Sequence, residues 1–152
     1  MVFRGRRGLV AAVLLGSLGA CSRVAPTATG SLALTLSEAE ETWRVAGLRD
    51  YTFLADVSCF CIPDYTGTLA VTVRNGAVVS VRDPLTGANR PISYRQPVDS
   101  LFALIRREIA SNPSKLEVSY DQPLGYPRRI RYGNMELDAG AVLTVDNLKR
   151  TP

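Results

Sequence analysis

The chain has 152 residues, 46% of them hydrophobic and 21% charged, which suits one domain with a real core. It contains no histidine, so Ser-His-Asp and Cys-His nucleophile pairs and histidine-based zinc sites are excluded. The formal charge is +4, but no basic stripe with interleaved aromatics accompanies it, which sets nucleic acid aside as a partner.

Residues 1–20 read as a lipoprotein signal peptide. Arg4, Arg6 and Arg7 form a positive head, and the apolar run Gly8–Gly16 is too short to span a bilayer as a stable helix. Leu18-Gly19-Ala20-Cys21 then has the form of a lipobox: small residues before a cysteine that is lipidated and becomes the new N-terminus. Removing that segment takes away three arginines and leaves 15 basic against 14 acidic residues, so the basic pI says little about partners. Ser22 after the cysteine favours the outer membrane in a Gram-negative cell. The expected location is therefore the cell envelope, facing the periplasm or the outside, with the membrane as a partner through the anchor. Residues 21–35 are expected to form a flexible tether with a reach of roughly 20 Å, and residues 36–152 a single α+β domain.

The first predicted helix begins near Ser37, which stands three residues before Glu40 with capping-box spacing. Glu38, Glu40 and Glu41 would complement the helix dipole, Ala39, Trp43 and Ala46 share a face, and Gly47 suits the position just past the end. Tyr51–Cys61 has strand character, with Tyr51, Phe53, Ala55, Val57, Cys59 and Cys61 on the core side. In "TLAVTVRNGAVVSVRD" a three-residue turn, Arg74-Asn75-Gly76, would pair Val73 with Ala77. All six alternating apolar residues would then share one face, so that register is the expected one. A loop broken by Pro84, Gly87, Pro91 and Pro97 leads to a second helix with Asp99 as cap. Leu101, Phe102, Ile105 and Ile109 are its buried stripe, and Asn112-Pro113 its stop. "KLEVSY", "RRIRY" and "AVLTVDNL" read as three further strands. Short connections imply antiparallel pairing. The expected fold is α+β: an antiparallel sheet with two helices packed on one face, in αβββ-αβββ order.

Several of these residues together resemble a known family. Trp43, Gly47, Asp50-Tyr51-Thr52-Phe53, Ser58-Cys59-Phe60-Cys61-Ile62-Pro63, Val71–Gly76, Leu101-Phe102, Tyr120-Asp121, Gly125-Tyr126-Pro127 and Ile130 are similar to the domain of unknown function 6174 family. Its members are mostly small secreted or lipid-anchored bacterial proteins. The likeness runs from about Trp43 to Leu148, and Cys-Phe-Cys and Gly-Tyr-Pro are its most specific parts. The chain departs from the pattern at Gln122, which intervenes before Pro123, and after Ile130, where the family is more acidic. The resemblance implies the fold and the address; it implies no activity, catalytic residue or cofactor.

Cys21 is committed to lipid, so Cys59 and Cys61 have only each other. An oxidising compartment favours a disulfide. Regular strand geometry opposes it, because α-carbons two apart in a strand are about 6.6 Å from one another, near the limit for a bridge. A bend at Ile62-Pro63 would relieve this. Three readings stay open: a structural disulfide or packed thiols, a redox-active pair, and capture of a soft metal such as Cu(I). The last would need a third ligand, for which Met135 is a candidate. Asp56, Asp64, Glu117 and Asp121 are the available carboxylates, with no spacing that singles out a catalytic pair. Tyr126 with Arg128, Arg129 and Arg131 is a candidate surface for an anionic group or lipid headgroups, although arginines on a strand also serve as edge protection.

These readings converge on a lipid-anchored, non-enzymatic domain that binds a protein or envelope ligand, without a cofactor. A thiol-redox or Cu(I)-handling lipoprotein is the first alternative. A hydrolase-inhibitor-like protein-binding module is the second. It rests on fold analogy and would gain from exposed aromatics on the free sheet face and lose from a polar one.

Overall fold

A computed structural model describes residues 28–111, 115–134 and 139–152, with side chains from Thr35 onward. Helix α1 spans Ala28–Ala46 and α2 spans Val98–Ser111. The strands are β1 (Tyr51–Cys59), β2 (Gly67–Arg74), β3 (Ala77–Arg82), β4 (Asn89–Arg90), β5 (Glu117–Tyr120), β6 (Pro127–Asn134) and β7 (Ala139–Arg150). Among the described residues, these form one antiparallel sheet in the order β4-β3-β2-β1-β7-β6-β5. The class is α+β. The element order differs from αβββ-αβββ, because the proline-broken loop contains β4, paired to Val81 and Arg82 of β3, and a 3-10 turn at Ile92–Tyr94. No described helix is long and apolar enough to cross a membrane.

One face of the sheet carries the core. Alternation in β1 buries Tyr51, Phe53, Ala55 and Val57, and the register sets three of them against Val73, Val71 and Leu69 of β2. Val145 of β7 and Ile130 of β6 continue this layer. Leu36, Ala39 and Trp43 of α1 and Val98, Leu101, Phe102 and Ile105 of α2 belong to the same cluster. The opposite face is composed differently: Thr52, Asp56, Thr68, Thr72, Ser80 and Thr144, with Leu54, Ala70 and Val142 among them, alternate with the core residues. Among the described residues no aromatic side chain projects from the strands on that face.

Three local expectations are corrected. First, α1 begins at Ala28, so Ser37 and Glu40 lie in its interior and no acidic residue occupies its first turn. Residues 28–35, expected as tether, are helical: Leu32, Ala33 and Leu34 favour the helix, although Gly30 and the threonines do not. Second, the β2–β3 turn has two residues. Asn75 (φ 49°) and Gly76 (φ 78°) pair Arg74 with Ala77 and Val73 with Val78. Val79 is the extra residue of a bulge, which returns Val81 to the core and leaves Ala77 and Val79 exposed. The tighter turn is selected by contacts outside the hairpin: Asp50 accepts the Asn75 N–H, Arg49 donates to the Asn75 side chain, and the Arg49 carbonyl accepts the Gly76 N–H. Third, α2 starts before Asp99. The Pro97 carbonyl receives the N–H groups of Ser100 and Leu101, and Asp99 lies in the first turn. Asn112-Pro113 lies outside the described residues.

Candidate functional site

The inner ends of β1 and β7 do not meet α2 everywhere. A cavity of about 250 Å³ remains between them. Phe53, Ala55 and Val57 of β1, Leu143 and Val145 of β7, and Leu101 and Leu104 of α2 give it an apolar floor. Small side chains at Ala55, Ser100 and Ala103 leave this space where the helix crosses the strands. Tyr65, Tyr94, Tyr132, Arg95 and Arg107 line the same cavity and bring polar groups, along with the carboxylate-bearing Asp56 and the neutral Gln96 and Thr144. Burial pushes the Tyr132 phenol up from its ordinary range, reinforced by Tyr65 and Glu108 and opposed by Arg107.

Arg95 is the buried charged residue of the described core, 5% exposed. Its Nε donates to the Ala55 carbonyl at 3.2 Å, Nη1 to the carbonyls of Tyr65 at 2.9 Å and Tyr94 at 2.8 Å, and Nη2 to that of Gly67. The guanidinium carbon also lies 5.5 Å from the centre of the Tyr65 ring. Four of five N–H groups are thus engaged by neutral carbonyl oxygens, and among the described residues no carboxylate forms an ion pair with it. Burial pulls its pKa down, and the charges of Tyr65 and Asp56 offset this in part. Tyr65 and Tyr94 meet edge to face at 5.5 Å, so both 3-10 turns, Pro63–Tyr65 and Ile92–Tyr94, are gathered around this cation.

A wider groove of about 580 Å³ runs between α1, α2 and the β2–β3 turn. Two of its cations are paired with carboxylates, Arg106 with Glu40 and Arg44 with Glu41, and Arg49 donates to the neutral Asn75.

The sequence-predicted site residues are dispersed. Cys59 and Cys61 form a disulfide with α-carbons 5.3 Å apart. The strand ends at Cys59, and the chain bends at once, which closes the distance a regular strand would leave. Cys61 is exposed rather than core-facing, and its neighbours Phe60 and Ile62 are 84% and 62% exposed. The Tyr126–Arg131 surface does not assemble. Tyr126 is buried in the core cluster at 6% exposure. Arg128 pairs with Asp146 and Arg131 with Glu117, while exposed Arg129 pairs in the sheet with Thr144. Gly125, beside Tyr126, lies close under the α1 backbone, where an added β-carbon would stand 2.3 Å from the Ala39 carbonyl oxygen. The carboxylates are occupied locally: Asp56 accepts from Thr68, Glu117 from Arg131, and Asp121 from the Leu124 N–H. Asp64 sits exposed in the first 3-10 turn. Among the described residues no three potential metal ligands gather. Cys21 and Met135 lie outside the described residues.

Arg95 and the tyrosines were not marked by the sequence pattern. Arg95 falls in a loop, its partners are backbone carbonyls from four segments, and only the Tyr94-Arg95 juxtaposition just before a helix could have drawn attention.

An antiparallel sheet half-covered by two helices, with an apolar cavity at their junction, defines a small α+β domain of a kind that many functions share. Residues 35–150 match the model of a family described as Family of unknown function (DUF6174), and the chain belongs to that family. No curated protein and no solved structure matches it.

Proposed function

We propose that this protein is a lipid-anchored domain of the cell envelope that acts by binding, without catalysis, and that its ligand enters the cavity between α2 and the sheet. The observation that carries this reading is the cavity itself: an apolar floor with polar groups concentrated at Tyr65, Tyr94, Tyr132, Arg95 and Arg107. The anchor rests on the lipobox ending at Cys21. The non-enzymatic reading is supported by the missing histidine and by carboxylates engaged in local bonds. Two experiments test it. The chain extracted from membranes should carry the mass of a lipid that Cys21→Ala abolishes. Extracted material should also co-purify with a small molecule that Ala103→Trp, placed at the cavity wall, excludes. Turnover of any envelope substrate by the purified chain would sink the non-enzymatic part.

One observation favours a second reading, thiol-redox or Cu(I) handling. Cys61 is exposed and bonded to Cys59 on a connection open to solvent, which gives a reductant or partner thiol access. A thiol titration of the Cys21→Ser chain, before and after reductant of periplasmic strength, tests it. A bridge that stays closed, and no Cu(I) uptake after forced reduction, removes it. The inhibitor-like module is weakened by the open sheet face, where threonine and serine stand in place of the aromatic grip such a surface would use.

A further inference from the structure

Resting on the reading of the cavity as the binding site, we propose that its ligand is a short amphipathic anion, a carboxylate-type head on a hydrocarbon tail of modest length. Size sets the first limit. A volume of about 250 Å³ corresponds to roughly eight water molecules at about 30 Å³ each, so the fitting molecule has on the order of ten non-hydrogen atoms. The floor sets the second: Phe53, Val57, Leu101, Leu104 and Leu143 offer a tail only dispersion contacts and no hydrogen bond.

Charge sets the third limit and decides the class. Arg95 is 5% exposed, lines the cavity, forms no ion pair with a described carboxylate, and has one N–H beyond the four that carbonyls accept. A buried guanidinium held only by neutral acceptors attracts an anion strongly, because little solvent screens it. Asp56 also lines the cavity and offsets the Arg95 charge in part, but it accepts from Thr68 and forms no ion pair with the guanidinium, so one carboxylate stands against two cations. Arg107 adds a second cation at the wall, in loose contact with Glu108 at 3.7 Å and 70% exposed, so it is able to turn toward a ligand. The phenols of Tyr65, Tyr94 and Tyr132 supply further donors. A cationic ligand would meet two guanidinium groups, and a neutral one would leave Arg95 without a counter-charge. The anionic amphiphile satisfies all three limits together.

The test uses the full chain carrying Cys21→Ser, titrated by calorimetry and by NMR with three probes of equal tail: sodium octanoate, 1-octanol and octylammonium. Octanoate should bind at least about tenfold more tightly than 1-octanol, the margin of a charge-assisted hydrogen bond, and octylammonium should not bind. Arg107→Gln, at an exposed position, should weaken octanoate by about fivefold or more and flatten its salt dependence. Ala103→Trp should remove binding. Equal binding of octanoate and 1-octanol overturns the proposal, as does indifference to Arg107→Gln. If none of the probes binds while membrane extract still delivers a ligand that Ala103→Trp excludes, the anion assignment falls and the binding-domain reading stands. If neither probe nor extract ligand is taken up, both fall.

Discussion

Arg95 and Tyr65, 30 positions apart, hold each other in place twice over: the guanidinium donates to the Tyr65 carbonyl at 2.9 Å and lies 5.5 Å from the centre of its ring. The same side chain bonds to Gly67 at the start of β2 and Ala55 inside β1. It therefore ties the β1–β2 connection to the segment leading into α2. Replacing it with methionine leaves four carbonyls to find new donors, and should cost about 3 kcal/mol, read from the urea midpoint. Arg95→Lys keeps the charge but offers three donors on a point, not a fork, and should cost less than the methionine variant. Equal stability of all three proteins would show that these bonds are replaced by water at no cost.

Gly125 provides a prediction about packing. At φ +78° a β-carbon there would stand 2.3 Å from the Ala39 carbonyl oxygen and 2.8 Å from the Thr42 Cβ. Gly125→Ala should push α1 off the β5–β6 turn and destabilise by more than about 3 kcal/mol, combining the backbone penalty with overpacking. Gly87→Ala has the same sign of φ, at +72°, with nothing within 4 Å. It should cost only about 1 kcal/mol. Comparing the two in chemical denaturation separates steric clash from backbone strain.

Much of the fold was legible because burial follows a simple alternation along β1 and β2, and a helical stripe along α2. The hairpin was misread for a definite reason. Counting apolar residues on one face rewards a three-residue turn, whereas the structure keeps a two-residue turn and corrects the phase with a bulge at Val79. That choice depends on Arg49 and Asp50, which lie 26 and 25 positions from Asn75. The candidate site was less legible still. Carbonyl acceptors carry no side-chain signature, so nothing in the letters around Arg95 announces four of them. Tyr126 precedes β6, so strand periodicity does not set its direction, and its burial accompanies the close approach of Gly125 to α1.

Alkaline pH should expose the role of Tyr51. It is fully buried, its hydroxyl accepts the Val98 N–H at the start of α2, and burial pushes its pKa up from 10.0 to about 12. Below pH 10 the phenol is protonated in both folded and unfolded chains, and its contribution is complete. Between pH 10 and 12 the unfolded phenol ionises while the folded one does not, so stability falls as pH rises, by about 3 kcal/mol for this residue. Tyr120, also pushed to about 12 by burial, adds to the same decline. Tyr51→Phe should be less stable at neutral pH, having lost the acceptor for Val98, yet lose less between pH 9 and pH 12 than the parent. Parallel curves in urea at the two pH values would refute this.

The disulfide should matter little to global stability. It closes a loop of three residues, for which the chain-entropy contribution is at most about 1.5 kcal/mol. The Cys59→Ser, Cys61→Ser double variant should keep cooperative unfolding and shift the urea midpoint modestly. A loss several times larger would mean that the bridge positions the Pro63–Tyr65 turn, and with it Arg95.

The pairing of β1 with β7 has a consequence for how the chain is made. Residues as far apart as Tyr51 and Arg150 lie side by side at the centre of the sheet, and every strand from β2 to β6 is assembled outward from that seam. Contacts of such long sequence separation form slowly, because the intervening chain must be ordered first. Synthesis must therefore deliver nearly the last described residue before the two halves can join. Until then the apolar side of β1 has no finished layer to cover it. A nascent chain in that condition keeps the β7-facing edge of β1 unpaired. That makes prematurely terminated products natural clients for chaperones and proteases.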